Sequence, residues 1–161
     1  MIAVYQQKGL DYFDLVSQSL EECLSSNSRR ADYFDIPEEA YNSLRKQYNP
    51  EPIADEITKF KGSQDEYRLG IVDVDIFARG LNFIFGIANP LRRVALISAY
   101  RLAGPQLRER IAKEAVHETG HLYGLGHCAN PLCVMYFSNT VADTDNKSKS
   151  LCNLCRRKIE A

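Results

Sequence analysis

The chain has no run approaching the roughly 18 apolar residues that a membrane-spanning helix needs. Its first residues, Met1-Ile2-Ala3-Val4-Tyr5-Gln6-Gln7, lack the basic segment, apolar run and small-residue cleavage site of a secretory signal. A cytoplasmic protein is expected, with no membrane partner. Net charge is almost absent as well: 20 Lys and Arg stand against 21 Asp and Glu, a formal charge of -1. Such a balance gives no broad field to draw in nucleic acid, so none is expected as a partner. The short basic clusters Arg92-Arg93 and Arg156-Arg157-Lys158 read as solvated surface. Internal repeats and low-complexity tracts are missing. Histidine is scarce, at three residues, and methionine scarcer, at two.

What remains is the material of one globular domain. The chain has 161 residues, 45% of them apolar and 25% charged, enough for a real core. A monomer is the expectation. Residues 2–6 read as an interior strand, and Tyr12, Phe13, Val16, Leu20 and Cys23 follow helical spacing. Cys23 falls on that apolar face, where a buried, inert thiol is expected. Residues 31–36 read as a second strand, 38–48 as a short helix behind Pro37, and 53–60 as another helix. Residues 67–76, 81–88 and 94–98 read as strands. Strands and helices interleave, so the pattern predicts a helix-covered mixed sheet of the α+β class. The main helix should start near Gly104-Pro105, its stripe of Leu107, Ile111, Ala115 and Leu122 docking on the sheet. Beyond Gly124 regular structure is expected to end, and residues 128–155 are short of apolar side chains. That segment needs another source of order.

All three histidines lie in one stretch, His117-Glu118-Thr119-Gly120-His121-Leu122-Tyr123-Gly124-Leu125-Gly126-His127. His117 and His121 are a helical turn apart and leave the same face. A glycine at 124 can take a positive backbone angle and end the helix, which lets His127 arrive from another direction. Three protein ligands with one open position are the arrangement of a catalytic zinc. Glu118, from the same turn, is placed as the general base that takes a proton from a zinc-activated water and passes it to the leaving amine. H-E-x-x-H-x-x-G-x-x-H is the three-histidine signature of the metzincin peptidases. By chance a chain of this composition and length would show it in roughly four cases in a million. The expected reaction is hydrolysis of a peptide bond, with a peptide or protein as substrate, by a metalloendopeptidase or an aminopeptidase. The competing reading is a catalytically inactive zinc protein that uses its cleft as a peptide-binding module.

Cys128, Cys133, Cys152 and Cys155 form C-x4-C followed by C-x2-C. Four thiolates make a closed tetrahedral site, hence a structural zinc that would order the polar segment around it. The alternatives are a redox-active Cys152/Cys155 pair, two disulfides, or four unrelated thiols. Because Cys128 directly follows His127, the two metal sites would be coupled through one peptide bond, with two zinc ions per chain. Asp143-Thr144-Asp145-Asn146 lacks the glycine and distal glutamate of a calcium loop and reads as a hydrogen-bonded turn.

Together HETGHLYGLGHC, ANPLC, Val134-Met135 and Cys152-Asn153-Leu154-Cys155 resemble the archaemetzincins, a family of metzincin-type metallopeptidases. The resemblance implies a compact metzincin-like fold, a twisted, mostly parallel mixed sheet with an antiparallel edge strand above the cleft. Residues 81–88 would form that edge and pair with substrate. It implies that Met135 supports the zinc histidines from below, as the Met-turn residue. One departure is Phe137, where some metzincins place a metal-associated tyrosine; adjacent Tyr136 is assigned no role. The expected organisation is a single domain: sheet and helices over 1–104, active-site helix and third histidine over 105–127, Met-turn and four-cysteine subsite over 128–161.

Overall fold

In a computed structural model, which describes residues 1–160, five strands form one sheet and helices cover both of its faces. In chain order these strands are β1 (Ile2–Gln7), β2 (Ser28–Phe34), β5 (Tyr67–Val72), β6 (Gly86–Asn89) and β7 (Val94–Ser98). Between β2 and β5 lies a separate hairpin of β3 (Tyr41–Asn42) and β4 (Gln47–Tyr48). The helices are α1 (Phe13–Leu24), α2 (Pro50–Thr58), α3 (Leu107–Leu122), α4 (Val141–Asn146) and α5 (Asn153–Glu160). The sheet order is β2-β1-β5-β7-β6, with every pairing parallel except β6 against β7. The sheet is therefore mostly parallel and carries an antiparallel edge strand, as the sequence and the family resemblance implied.

Period-two alternation sorts the core. Ile2 and Val4, Leu69 and Ile71, and Ala95 and Ile97 face one side with Val16 and Leu20 of α1 and Ile111 and Ala115 of α3. Ala3, Tyr5, Val72, Val94 and Leu96 face the other, against Ile53 and Ile57 of α2. Strands buried on both faces read as continuous apolar runs, which is why β1 and β7 were legible. Cys23 is buried on the α1 face, as its helical position required.

Three sequence expectations need correction. Residues 38–48 form no α-helix: a single 3-10 turn at Glu38–Ala40 leads into the β3–β4 hairpin. Asn42 Oδ1 accepts the Leu44 and Arg45 N–H groups at 3.1 and 3.0 Å, a local bond that competes with helix. Tyr41 and Tyr48 then pack across the hairpin with ring centroids 5.1 Å apart. Second, the strand expected over 81–88 starts only at Gly86 and runs on to Asn89, and Ile84 touches Ile76 through an isolated bridge. Third, α3 begins at Leu107: Gly104 has φ of +133° and Pro105 lies in the turn ahead of the helix. The tail is also more regular than expected. The 143–146 stretch is helix rather than a simple turn: Thr140 and Asp143 make a reciprocal capping box that starts α4. Arg110 of α3 then clamps Asp145 with two bonds of 2.8 Å.

Candidate metal centre

The second half of α3 is buried under β6 and β7, so His117 and Glu118 sit almost wholly inside while His121 is half-buried. The helix closes where the sequence placed its break. Gly124 has φ of +96°, and the Gly124 and Leu125 N–H groups donate back to the His121 and Gly120 carbonyls at 3.0 Å. The reversed chain then carries His127 to the other two imidazoles. One ligand atom from each histidine lies within 4.8 Å of the other two.

The hydrogen bonds decide which nitrogens meet. His117 Nδ1 lies 2.7 Å from the Val134 carbonyl oxygen and His121 Nδ1 lies 2.7 Å from that of Leu125. A carbonyl only accepts, so each Nδ1 carries the hydrogen and each Nε2 is left with a lone pair. Those two Nε2 atoms face each other at 3.1 Å with no hydrogen to share. Two opposed lone pairs repel unless a cation lies between them. The donor set thus fits a metal ion, and the carbonyl bonds fix the tautomer as they do for metal-bound imidazoles. Burial holds all three imidazole pKa values below the ordinary histidine value, which keeps the rings neutral and able to ligate.

The four cysteine sulfurs gather within the same 4.8 Å limit, and all are free thiols. Cys133 and Cys155 are buried, while Cys128 and Cys152 are half-buried. The Met135 and Cys152 N–H groups each point at Cys133 Sγ at 3.4 Å, as donors do toward a thiolate. The Cys155 backbone N–H leads in drawing the Cys152 thiol down to about 7. Four converging sulfurs suit a tetrahedral cation better than either an isolated Cys152/Cys155 redox pair or unrelated thiols.

One short segment serves both clusters. Val134 orients His117, Met135 accepts the Cys128 N–H at 3.0 Å, and the Met135 N–H faces Cys133. The Met135 side chain is fully buried beneath α3. It fits there because residue 120 is glycine: a Cβ at 120 would lie 2.5 Å from Met135 Sδ. Gly120 was overlooked in the sequence, although a glycine inside a helix is itself a mark of close approach.

A buried charge cluster adjoins the histidines. Glu114 and Glu118, one turn apart on α3, are both almost fully buried, and Lys147 joins them with no exposed side-chain surface. Lys147 Nζ donates to the Tyr136 carbonyl at 2.9 Å and lies 3.8 Å from Glu114 Oε1. Burial, then the Glu114 charge, holds the Glu118 carboxyl well above its ordinary range. Neither Glu114 nor Lys147 has a sequence signal; a lysine in a polar stretch reads as surface. Phe137 packs on His127 in a tilted arrangement with centroids 5.0 Å apart, at the position where some metzincins place a metal-associated tyrosine.

An open cleft of about 460 Å³ exposes the three histidines and Glu118 beneath Gly86, Ile87 and Ala88 of β6. β6 is at the end of the sheet order, so one of its edges is left unpaired by the other described strands. Gly86 permits the close approach: a Cβ there would meet Glu118 Oε1 at 2.9 Å.

Comparisons with known proteins agree with this geometry. The profile of Peptidase family M54 matches residues 26–161. An archaemetzincin of Pyrobaculum aerophilum is 53% identical over 89 residues, 55% of this chain and 57% of that relative. The chain thus matches little more than half the length of that curated relative. The crystal structure of the Methanopyrus kandleri archaemetzincin superposes with a TM-score of 0.90 at 33% identity, covering 99% of this chain and 92% of the other. A zinc-dependent peptidase from Methanocorpusculum labreanum gives 0.87 at 28% identity, covering 99% and 100%.

Proposed function

The chain belongs to peptidase family M54, and from that premise we propose that it is a zinc-dependent metallopeptidase carrying one catalytic and one structural zinc. His117, His121 and His127 hold the catalytic ion, and Cys128, Cys133, Cys152 and Cys155 the structural one. The observation that carries the reading is the apposition of two acceptor nitrogens at 3.1 Å above a buried glutamate. The Methanocorpusculum relative is itself described as a zinc-dependent peptidase.

Zinc bound at the histidines supplies Lewis acidity, lowering the pKa of water and polarising the scissile carbonyl. The remaining work falls to the chain. The free edge of β6 offers N–H and C=O groups that align an extended peptide over the cleft. Glu118 accepts the proton of the attacking water and returns it to the leaving amine. Its burial, with β6 packed on it through Gly86, favours the protonated form it passes through between those events. Met135, seated against Gly120, keeps the histidine turn rigid. Phe137 backs His127, the most exposed of the three rings.

The test is Glu118→Ala. Zinc content is expected to stay unchanged while cleavage of a mixed peptide library disappears, a loss of at least about a hundredfold for removal of a general base. Cleavage that persists in the variant overturns the mechanism. Peptide binding without cleavage by the wild-type chain would mark a peptide-binding module instead.

A further inference from the structure

Beside Glu118 a second cavity of about 170 Å³ branches from the cleft, sharing Gly86, His117, Glu118 and Phe137 with it. Its walls carry the Phe83, Phe85 and Phe137 rings; besides the exposed Asn82 and Asn139, two polar side chains outside the histidine motif line it, Glu114 and Ser138. Both are more than nine-tenths buried. Ser138 Oγ has no hydrogen-bond partner among the described residues. The Glu114 carboxyl is paired only loosely: Lys147 Nζ lies 3.8 Å from its Oε1, and that ammonium already donates to Tyr136. Buried polar groups are normally satisfied, so an unpartnered hydroxyl in the same ring-lined cavity as a loosely paired carboxyl marks a place where a ligand group belongs.

We propose that this cavity receives the side chain of the substrate residue following the cleaved bond, and that Glu114 and Ser138 select tyrosine there. The inference rests on the peptidase reading above. Glu118 returns its proton to the leaving amine, so the residue bearing that amine lies on the Glu118 side, at the cavity mouth. Ring walls suit an aromatic body. Glu114 and Ser138 call for a hydroxyl that donates to the carboxyl and meets the serine. A lysine or arginine side chain would also donate, but its charge would have to leave water for a cavity walled by three phenylalanine rings, where Lys147 already faces Glu114. Phenylalanine would fill the walls and leave the Ser138 hydroxyl without a partner, the situation in which a site built for hydrogen bonding rejects an isostere.

The experiment compares kcat/KM for paired peptides that differ only in Tyr, Phe, Lys or Arg after the cleaved bond, using the zinc-loaded full chain. Wild type is expected to favour Tyr over Phe by roughly ten- to a hundredfold, the range for one hydrogen bond to a charged group. Glu114→Gln and Ser138→Ala should each reduce that ratio, which does not depend on how much of a preparation is folded. A Phe, Lys or Arg preference in wild type, or a ratio unmoved by both variants, overturns the proposal. Binding of p-cresol against toluene, followed by NMR shifts of the cavity residues, separates this idea from the peptidase reading. If no peptide is cut but p-cresol alone saturates the cavity, and Glu114→Gln abolishes it, the recognition stands and the peptidase reading falls. Equal binding of the two probes overturns the recognition.

Discussion

Replacing Lys147 with methionine tests the buried charge cluster most directly. The substitution shortens the side chain by one atom and, among the described residues, removes the only cation within 4 Å of Glu114, whose own side chain is 4% exposed. Losing one partner of a buried pair typically costs about 3–5 kcal/mol. An upper bound follows from protonation. An orphaned carboxylate escapes its penalty by taking a proton, and relative to an ordinary value near 4.5 this costs about 1.4 kcal/mol per pH unit. The cost is therefore about 4 kcal/mol at pH 7.5 and about 2 kcal/mol at pH 6. The sign follows from linkage: burial already raises the Glu114 carboxyl, so the folded state binds more protons than the unfolded one and stability falls as pH rises. Wild type carries part of that slope, so the variant's excess between the two pH values is at most about 2 kcal/mol. Urea unfolding of the zinc-loaded proteins at both pH values reads it. Adding Glu114→Gln should remove the pH-dependent part. A Lys147→Met cost below about 1 kcal/mol, or one that is equal at both pH values, refutes the reasoning.

Two further outcomes concern the metal clusters. The wild-type chain should carry two zinc ions, and the Cys152→Ser/Cys155→Ser double variant one or none, because Cys128 and Met135 tie the cysteine cluster to His127 and His117. Metal analysis reads this directly, and a single zinc in wild type breaks the paired-site reading. Gly120→Ala should lower the melting temperature, since its Cβ would lie 2.5 Å from the buried Met135 Sδ. In an unobstructed helix the same exchange stabilises by about 1 kcal/mol, so a raised melting temperature would show that the Met135 contact is loose.

Legibility tracked how local the determining physics was. The histidine turn, its termination at Gly124 and the cysteine spacing are set by residues within a few positions of one another, and each is found where the sequence put it. β1 and β7 were equally plain because their neighbours bury them on both faces. Residues 38–48 read as helix from the proline ahead of them, yet two local bonds accepted by the Asn42 side chain turn the chain into a hairpin. The strand over the cleft was found but drawn too long, since only partners in β7 settle which of its residues pair.

The sequence by itself determined the available chemistry: which donors are present, that three of them converge, and that a carboxyl stands beside them. Tertiary structure alone decided their state. The Val134 and Leu125 carbonyls choose the imidazole tautomers, Lys147 reaches Glu114 from 33 positions away, and the Phe83, Phe85 and Phe137 rings line a cavity that holds Glu114 and the unpartnered Ser138 hydroxyl. Burial and long-range contact set the energies of these groups, and neither has a period or spacing in the chain.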